Sequence, residues 1–378
     1  MLAEINEELY SNGDEWLAAV SQVILSAQKF IYFESYIFNN DNCGKQIIDL
    51  LKTAAARGVR VSIIVDGIGS PHWSLAMIAE LKKANIESRV YHPTPFLLTE
   101  AWFIHYFKIT SFLKILSKLN KRNHRKLIII DDCIAIIGSV NIADCHLKSV
   151  SAEKAWRDTA IKIESPEVKE LKKVFENTWE KSWHKGKIWR PRLPKPIQYF
   201  EYFLIYGSIR SRMHHYHQLL NRLKNAKRKV YITNAYFVPR TRLLMALKNC
   251  AKRGVDVRVM VPSHSDVFIE KWATISFYEG MIKSGIRIFE YGPNMLHAKT
   301  IIIDDWAIVG SCNLNNRSFM HDLEINAVLQ SEVTKKQLLD LFEKDIFHCH
   351  EIQKLNLKSR SMFSKLLSRF AISIKYWL

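Results

Sequence analysis

No apolar run in this chain approaches the about 18 residues that a membrane-spanning helix needs, so none is expected. Nor is a secretory signal visible, since MLAEINEELY is acidic at its start. The six cysteines (Cys43, Cys133, Cys145, Cys250, Cys312 and Cys349) share no repeated spacing, and 378 residues do not need a disulfide scaffold. They read as reduced, cytosolic thiols. His348-Cys349-His350 offers metal-ligand types, but adjacent ligands on a helix point to different sides, so no metal site is expected there. Acids are scarce: 37 Asp and Glu stand against 55 Lys and Arg, a net charge of +18. That excess points to an anionic partner, nucleic acid or an anionic membrane surface, and charge alone does not separate them. The apolar fraction of 48% supports real cores, and the length suits two ordinary domains.

What the chain does have is a motif written twice. HRKLIIID places His124, Lys126 and Asp131 at the spacing that HAKTIIID repeats with His297, Lys299 and Asp304. Each copy runs through a second Asp, Asp132 or Asp305, into an apolar stretch ending in Gly-Ser, with Asn two residues on. The tails are Gly138, Ser139, Asn141 and Gly310, Ser311, Asn313. The β-branched runs read as two short buried strands joined by a tight Asp-Asp turn. Alternate residues on a strand share a face, so His124 goes with Lys126 and His297 with Lys299. Asp131 and Asp304 have the opposite parity and fall at the turn.

Brought face to face, the copies surround one point with two histidines, two lysines, two serines and two asparagines. Lysines and oriented N–H donors suit a phosphoryl oxygen on which charge develops. A neutral imidazole, with a free pKa of about 6.5, is a good nucleophile near neutrality. A second imidazole can protonate the leaving oxygen and later deprotonate an acceptor alcohol. Such a histidine needs a carboxylate on its other nitrogen. The candidates downstream are Asp158 for His124 and Glu324 for His297.

The duplication extends outward. AAARGVRVSIIVDG (Ala54–Gly67) parallels CAKRGVDVRVMVPS (Cys250–Ser263), each a helix stopped at Gly58 or Gly254 and followed by a buried strand. KFIYFESYIF parallels KVYITNAYFV, so Glu34 and Asn234 end equivalent strands and are expected to line the cleft or brace it. The fold class is therefore α/β: two tandem pseudo-symmetric halves, each a mixed, mainly parallel sheet flanked by helices, with the site between them. The expected divisions are 1–184 for the first half, 185–196 (KGKIWRPRLPKP) for a linker, 197–350 for the second half and 351–378 for a basic amphipathic tail. The first half carries an extra aromatic and basic segment around Trp102–Lys118. This segment and the tail Leu355–Leu378 pair apolar with cationic residues, as membrane-surface helices do. Packing on the protein's own body would produce the same pattern. Gly67-Ile68-Gly69 hints at phosphate binding or a plain turn, and Arg317 at a phosphate contact or a surface ion pair.

The paired His-x-Lys-x4-Asp motifs resemble those of the phospholipase D superfamily. Within it, ESYIF, WRDT, NAYFVP and GSCNLNNRSF make the chain similar to bacterial cardiolipin synthases of the short B type. Gly138-Ser139 stands where Gly-Gly is common in those synthases, and MHDLE departs from the usual Asn-hydrophobic-Glu. The resemblance implies a catalytic set of His124, Lys126, Asp131, His297, Lys299 and Asp304, with His124 as nucleophile and His297 as acid and base. Ser139, Asn141, Asp158, Ser311, Asn313 and Glu324 are then expected at the substrate phosphate or just behind the catalytic groups. It also implies a covalent phosphohistidine, with no metal and no cofactor. The function expected is phosphatidyl transfer that makes cardiolipin from phosphatidylglycerol and releases glycerol. The alternatives are a phospholipase D-type hydrolase and, less favoured, a nuclease of the same superfamily. The expected partner is an anionic phospholipid membrane, not nucleic acid, met peripherally at the cytoplasmic face of the bacterial inner membrane. The sequence leaves the oligomeric state open.

Overall fold

The computed structural model describes residues 5–93, 121–182 and 200–353. The aromatic basic segment, the linker and the tail lie outside them. The repeated helix-stop signal acts as the sequence suggests. Helix Asn42–Ala56 ends at Gly58, with φ +89°, and helix Thr241–Lys252 at Gly254, with φ +88°. In that left-handed conformation, which glycine adopts at little cost, Val59 N–H reaches back to Ala54 O and Val255 N–H to Cys250 O, both at 3.2 Å. The chain is thereby turned into the next strand.

Seven strands form the first sheet: β1 (Asn6–Tyr10), β2 (Phe30–Ser35), β3 (Arg60–Asp66), β4 (Ile86–Tyr91), β5 (Leu127–Ile130), β6 (Ile134–Gly138) and β7 (Ala160–Glu164). Their order is β1-β7-β6-β5-β2-β3-β4. The second sheet contains β8 (Phe203–Tyr206), β9 (Lys229–Asn234), β10 (Asp256–Pro262), β11 (Arg287–Tyr291), β12 (Lys299–Ile303), β13 (Trp306–Gly310), β14 (Glu324–Val328) and β15 (Cys349–Glu351). Read from β8, its order is the same, with β15 added beyond β11. Both sheets are mixed, but mainly antiparallel rather than mainly parallel as expected, because each motif hairpin and its outer neighbours pair antiparallel. Pairing is parallel across β2-β3-β4 and β9-β10-β11, and antiparallel elsewhere in the named strands. His350 and Cys349 therefore lie on an edge strand, not on the helix the sequence suggested, and the second half runs to Glu351.

The sheets meet face to face. On β2, Phe30 and Tyr32 join a core shared with Tyr231, Ile302 and Ile325 of the other half, whereas Ile31 and Phe33 pack under the helices of their own half. Tyr32 stacks on Phe175 at 4.4 Å between centroids, and its counterpart Tyr231 stacks on Phe342 at 4.8 Å. Each such side chain, fully buried, contributes roughly 1.5–3 kcal/mol, so the shared core holds the halves in one register.

The motif hairpins have the expected shape. Asp131 (φ 51°) and Asp304 (φ 50°) head the turns after β5 and β12. The Asp131 carboxylate accepts N–H bonds from Gln28, Lys29 and Phe30 at 2.7–2.8 Å. Asp304 does the same for Lys227, Arg228 and Lys229 at 2.9–3.0 Å. Burial pushes the Asp304 carboxyl up, but these bonds and Arg228 outweigh it and hold it below its usual value. At about 3.3 Å per residue, each aspartate sits roughly 20 Å along the strand from its histidine. The two therefore belong to the hairpins, not to the group around the histidines as the motif resemblance implies.

Replacing Asp131 or Asp304 by Ala should destabilise the chain by about 1–3 kcal/mol, since a charged acceptor of three N–H bonds is lost. The kcat of the folded fraction should be unchanged. Thermal melts with active-site titration measure both, and a large fall in kcat at unchanged stability would return these aspartates to the chemistry.

Candidate active site

The two halves are stitched together beside the histidines. Asn123 and Leu323 form a parallel bridge, as do Arg157 and Leu296. His124 N–H donates to Leu323 O at 3.0 Å, and Leu323 N–H to Arg122 O at 2.9 Å. On the other side, His297 and Ala298 N–H donate to Arg157 O at 2.8 and 3.0 Å. Each bridge sets the next residue of one half against the histidine of the other. Nδ1 of His124 lies 3.0 and 3.1 Å from the oxygens of Glu324, and Nδ1 of His297 lies 2.8 Å from Oδ1 of Asp158. The sequence paired each histidine with its own half's carboxylate; the structure crosses them. Asp158 lies two residues before β7 and Glu324 opens β14, so both carboxylates stand at the seam, where the bridging backbone comes from the other half.

The repeated Gly-Ser supports the carboxylates. Ser139 donates to Asp158 Oδ1 at 2.7 Å, and Ser311 to Glu324 Oε2 at 2.5 Å. The glycines allow this approach: a Cβ at Gly138 would lie 2.6 Å from Ala160 Cα, and one at Gly310 would collide with Ile325 O and Asn326. The serine hydroxyls are thus committed behind the histidines. Asn141 Oδ1 accepts from Ile37 N–H at 3.4 Å, whereas Asn313 Oδ1 is buried without a hydrogen-bond partner. Glu34 and Asn234 brace the site. Glu34 accepts from Asn123 at 2.7 Å and pairs with Arg125 at 3.5 Å, and Asn234 accepts from Leu314 N–H at 3.1 Å. Arg317 forms an ion pair with buried Asp322 at 2.9 Å. Gly67-Ile68-Gly69 is a turn folded over Asp66, whose carboxylate takes the Ile68 and Gly69 N–H groups.

Sequence reasoning missed four residues. Tyr36 meets the His124 ring edge-on at 4.9 Å, and Tyr236 meets His297 at 6.2 Å. They hold the same place in ESYIF and NAYFV, which was the signal available. Ser318 donates to Glu324 Oε1 at 2.7 Å, and His146 Nδ1 lies 2.6 Å from Asp158 Oδ2. Aligning GSVNIADCH with GSCNLNNRS puts His146 and Ser318 at one position. His146, Asp158 and His297 hold donor atoms within 4.8 Å, a spacing an ion could use. Here each Asp158 oxygen already faces an imidazole N at hydrogen-bond distance.

The field of the site keeps both imidazoles neutral. Burial, then Lys126 and Lys299, hold His124 well below its usual pKa. Burial and Lys299 do the same for His297, against the pull of Asp158. Each Lys Nζ donates to the carbonyl of its own motif's histidine. Burial, opposed by Glu324, lowers Lys126 to about 7, and burial opposed by Asp158 lowers Lys299 to about 8. Lys299 acts on both Lys126 and His124, so the two motifs share one field. Burial lifts Glu324 to about 7. Burial also works on Asp158, but His146 and His297 outweigh it and keep that carboxyl well below its usual range. With Nδ1 tied to a carboxylate, each imidazole has Nε2 left for a reacting phosphorus or oxygen.

A duplicated sheet with two histidine–lysine copies meeting at the seam defines the phospholipase D-like class. A family profile described as "Cardiolipin synthase, PLD-like domain" matches residues 20–179 and 219–346, and the chain belongs to that family. It is 32% identical to cardiolipin synthase B of Salmonella typhimurium over 94% of this chain and 84% of that protein. It is 29% identical to cardiolipin synthase of Halalkalibacterium halodurans over 96% of this chain and 70% of that one. Among solved structures, phosphatidylserine synthase from Haemophilus influenzae shares the fold, with a TM-score of 0.69, 15% identity and coverage of 98% of this chain and 95% of that one.

The lowered lysines give a signed pH prediction. An anion raises both pKa values, so binding of inorganic phosphate near pH 8 should take up protons. Affinity should fall as pH rises past about 8, where Lys299 loses its charge. Calorimetry in buffers of different ionisation heat reads both, and affinity that holds or grows up to pH 9 would remove the lysines from the anion site.

Proposed function

We propose that this enzyme transfers a phosphatidyl group between alcohols through a covalent phosphohistidine. The reading is that it makes cardiolipin from two phosphatidylglycerols. The bound phosphodiester anion raises His297 so that it takes up a proton at Nε2; Nε2 of His124 attacks phosphorus, the bond to the glycerol oxygen breaks, and that oxygen takes the His297 proton. A hydroxyl of the second phosphatidylglycerol then loses its proton to His297 and attacks phosphorus, and the N–P bond breaks. Lys126 and Lys299 balance the charge on the non-bridging oxygens. The observation that carries this reading is the pair of crossed carboxylate–imidazole contacts. They leave two neutral imidazoles with free Nε2 atoms beside two buried cations. The relatives named cardiolipin synthase support the substrate, at 29–32% identity.

The donor and acceptor are lipids, so the enzyme must meet a membrane. The net charge of +18 supports an anionic one, at which each basic residue contributes about 1 kcal/mol. No helix among the described residues is long and apolar enough to cross a bilayer. Peripheral binding is accordingly part of the proposal.

Phosphatidylglycerol vesicles should yield cardiolipin and free glycerol in equal amounts, with excess chelator present. His124→Ala and His297→Ala should each lower turnover by about 10³-fold or more. Lipid chromatography with a glycerol assay decides it. Phosphatidic acid as the main product would make the enzyme a hydrolase, and loss of activity on chelation, restored by one divalent ion, would overturn the mechanism.

A further inference from the structure

The pseudo-twofold symmetry of the site is broken at one point. Behind Glu324 stand two neutral hydroxyls, Ser311 and Ser318. Behind Asp158 stand Ser139 and a third imidazole, His146. His146 is 1% exposed, in the turn Asp144–His146. Its ring meets Trp156 edge-on at 5.1 Å, and Trp156 lies 5.3 Å from the His297 ring. The two imidazoles on Asp158 are 5.8 Å apart, and Nε2 of His146 is buried without a hydrogen-bond partner.

The groups that face His146 are Asp158, the neighbouring Cys145 and His297. The helices packed on this turn spend their nearby acids on backbone. Asp14 accepts from Lys148 and Ser149 N–H, and Asp41 accepts from Asp144 N–H. Asp144 in turn accepts from Asn42 and Cys43 N–H. Asp158 is thus the carboxylate that sets the charge of His146. Burial works against that charge, but Asp158 prevails and lifts His146 to about 9. The resulting cation is one of the groups that depress His297, alongside Lys299.

We infer that His146 is a positioning residue: through Asp158 it places beside His297 a positive charge that Ser318 does not place beside His124, and so sets how firmly His297 holds the proton it passes to the leaving oxygen. The inference rests on the two-step reading above. No proton leaves His146. Asp158, shared between two imidazoles, pulls less on the His297 proton, and the nearby cation repels it. His297 therefore gives up its Nε2 proton readily as the P–O bond breaks. His124 keeps its lone pair for phosphorus because burial, Lys126, Lys299 and Arg317 hold it neutral.

The test gives the position its counterpart's residue, His146→Ser, and compares two soluble phosphodiesters. One releases p-nitrophenol, which leaves without help from an acid; the other releases a simple alcohol, which needs the proton. At pH values below the basic limb, where His297 is protonated in both proteins, the variant should lose about threefold on the alkyl ester and nothing measurable on the nitrophenyl ester. The basic limb of its alkyl-ester pH profile should move up by about one unit, because His297 holds its proton more tightly. Equal slowing on both esters with an unmoved limb means that His146 only holds shape, and overturns the inference. If the Ser variant does not fold, His146→Asn takes its place. ¹⁵N spectra of the wild-type chain give an independent reading: His146 should carry both ring protons at pH 7, and a neutral ring overturns the inference. Failure of the two-step reading itself would show separately, as wild-type turnover that survives His124→Ala.

Discussion

The site depends on two crossed hydrogen bonds, Glu324 to His124 and Asp158 to His297. Removing two carboxylates, two lysines and two imidazoles from water is costly unless each finds partners. Here the carboxylate of each imidazole comes from the opposite half. A single half would leave its histidine without an acceptor and its carboxylate with only its own half's donors. The parallel bridges Asn123–Leu323 and Arg157–Leu296 supply the alignment, and the core shared by β2, β5, β9 and β12 supplies the rigidity. Duplication is therefore a condition of the chemistry, because neither copy is complete without the other.

The same burial that makes the site costly makes it reactive. In water, lysines would be fully charged and screened. Here burial lowers both, Lys299 lowers Lys126 further, and both act on His124. The site thus rests as a mixture of neutral imidazoles and weakly held lysine protons, poised to concentrate positive charge when a phosphate enters. The two flanks are not equivalent. His124 feels Arg317, itself tied to Asp322, while His297 feels His146 across Asp158. A symmetric scaffold thereby carries two histidines in different fields.

Much of this was legible in the sequence. The strand–turn–strand reading of each motif holds because β-branched runs flanking Asp-Asp have few other ways to fold. Gly58 and Gly254 marked their helix ends because a left-handed residue is needed there. The crossing was not legible. The bonded partners are 200 and 139 residues apart, and two equivalent carboxylates look alike in a sequence. Ser139 and Ser311 were expected at the phosphate or just behind the catalytic groups, and their hydroxyls point at the carboxylates behind the histidines because the glycines before them let the neighbouring strand close in. His146 lies in an aperiodic turn, and only comparison with Ser318 in the other copy marks it. The short edge strands β1, β8 and β15 had no periodic signal to give.

The crossing itself can be measured on the imidazoles. Glu324→Gln should change the ring-nitrogen shifts and tautomer balance of His124 and leave those of His297 nearly untouched. Asp158→Asn should change His297 and His146 and spare His124. Histidine-selective ¹⁵N spectra of the two variants beside the wild-type chain read all three rings at once. That pattern is the result predicted. If His124 instead responds to Asp158→Asn and His297 to Glu324→Gln, each half holds its own histidine, and the account of one site shared across the seam is wrong.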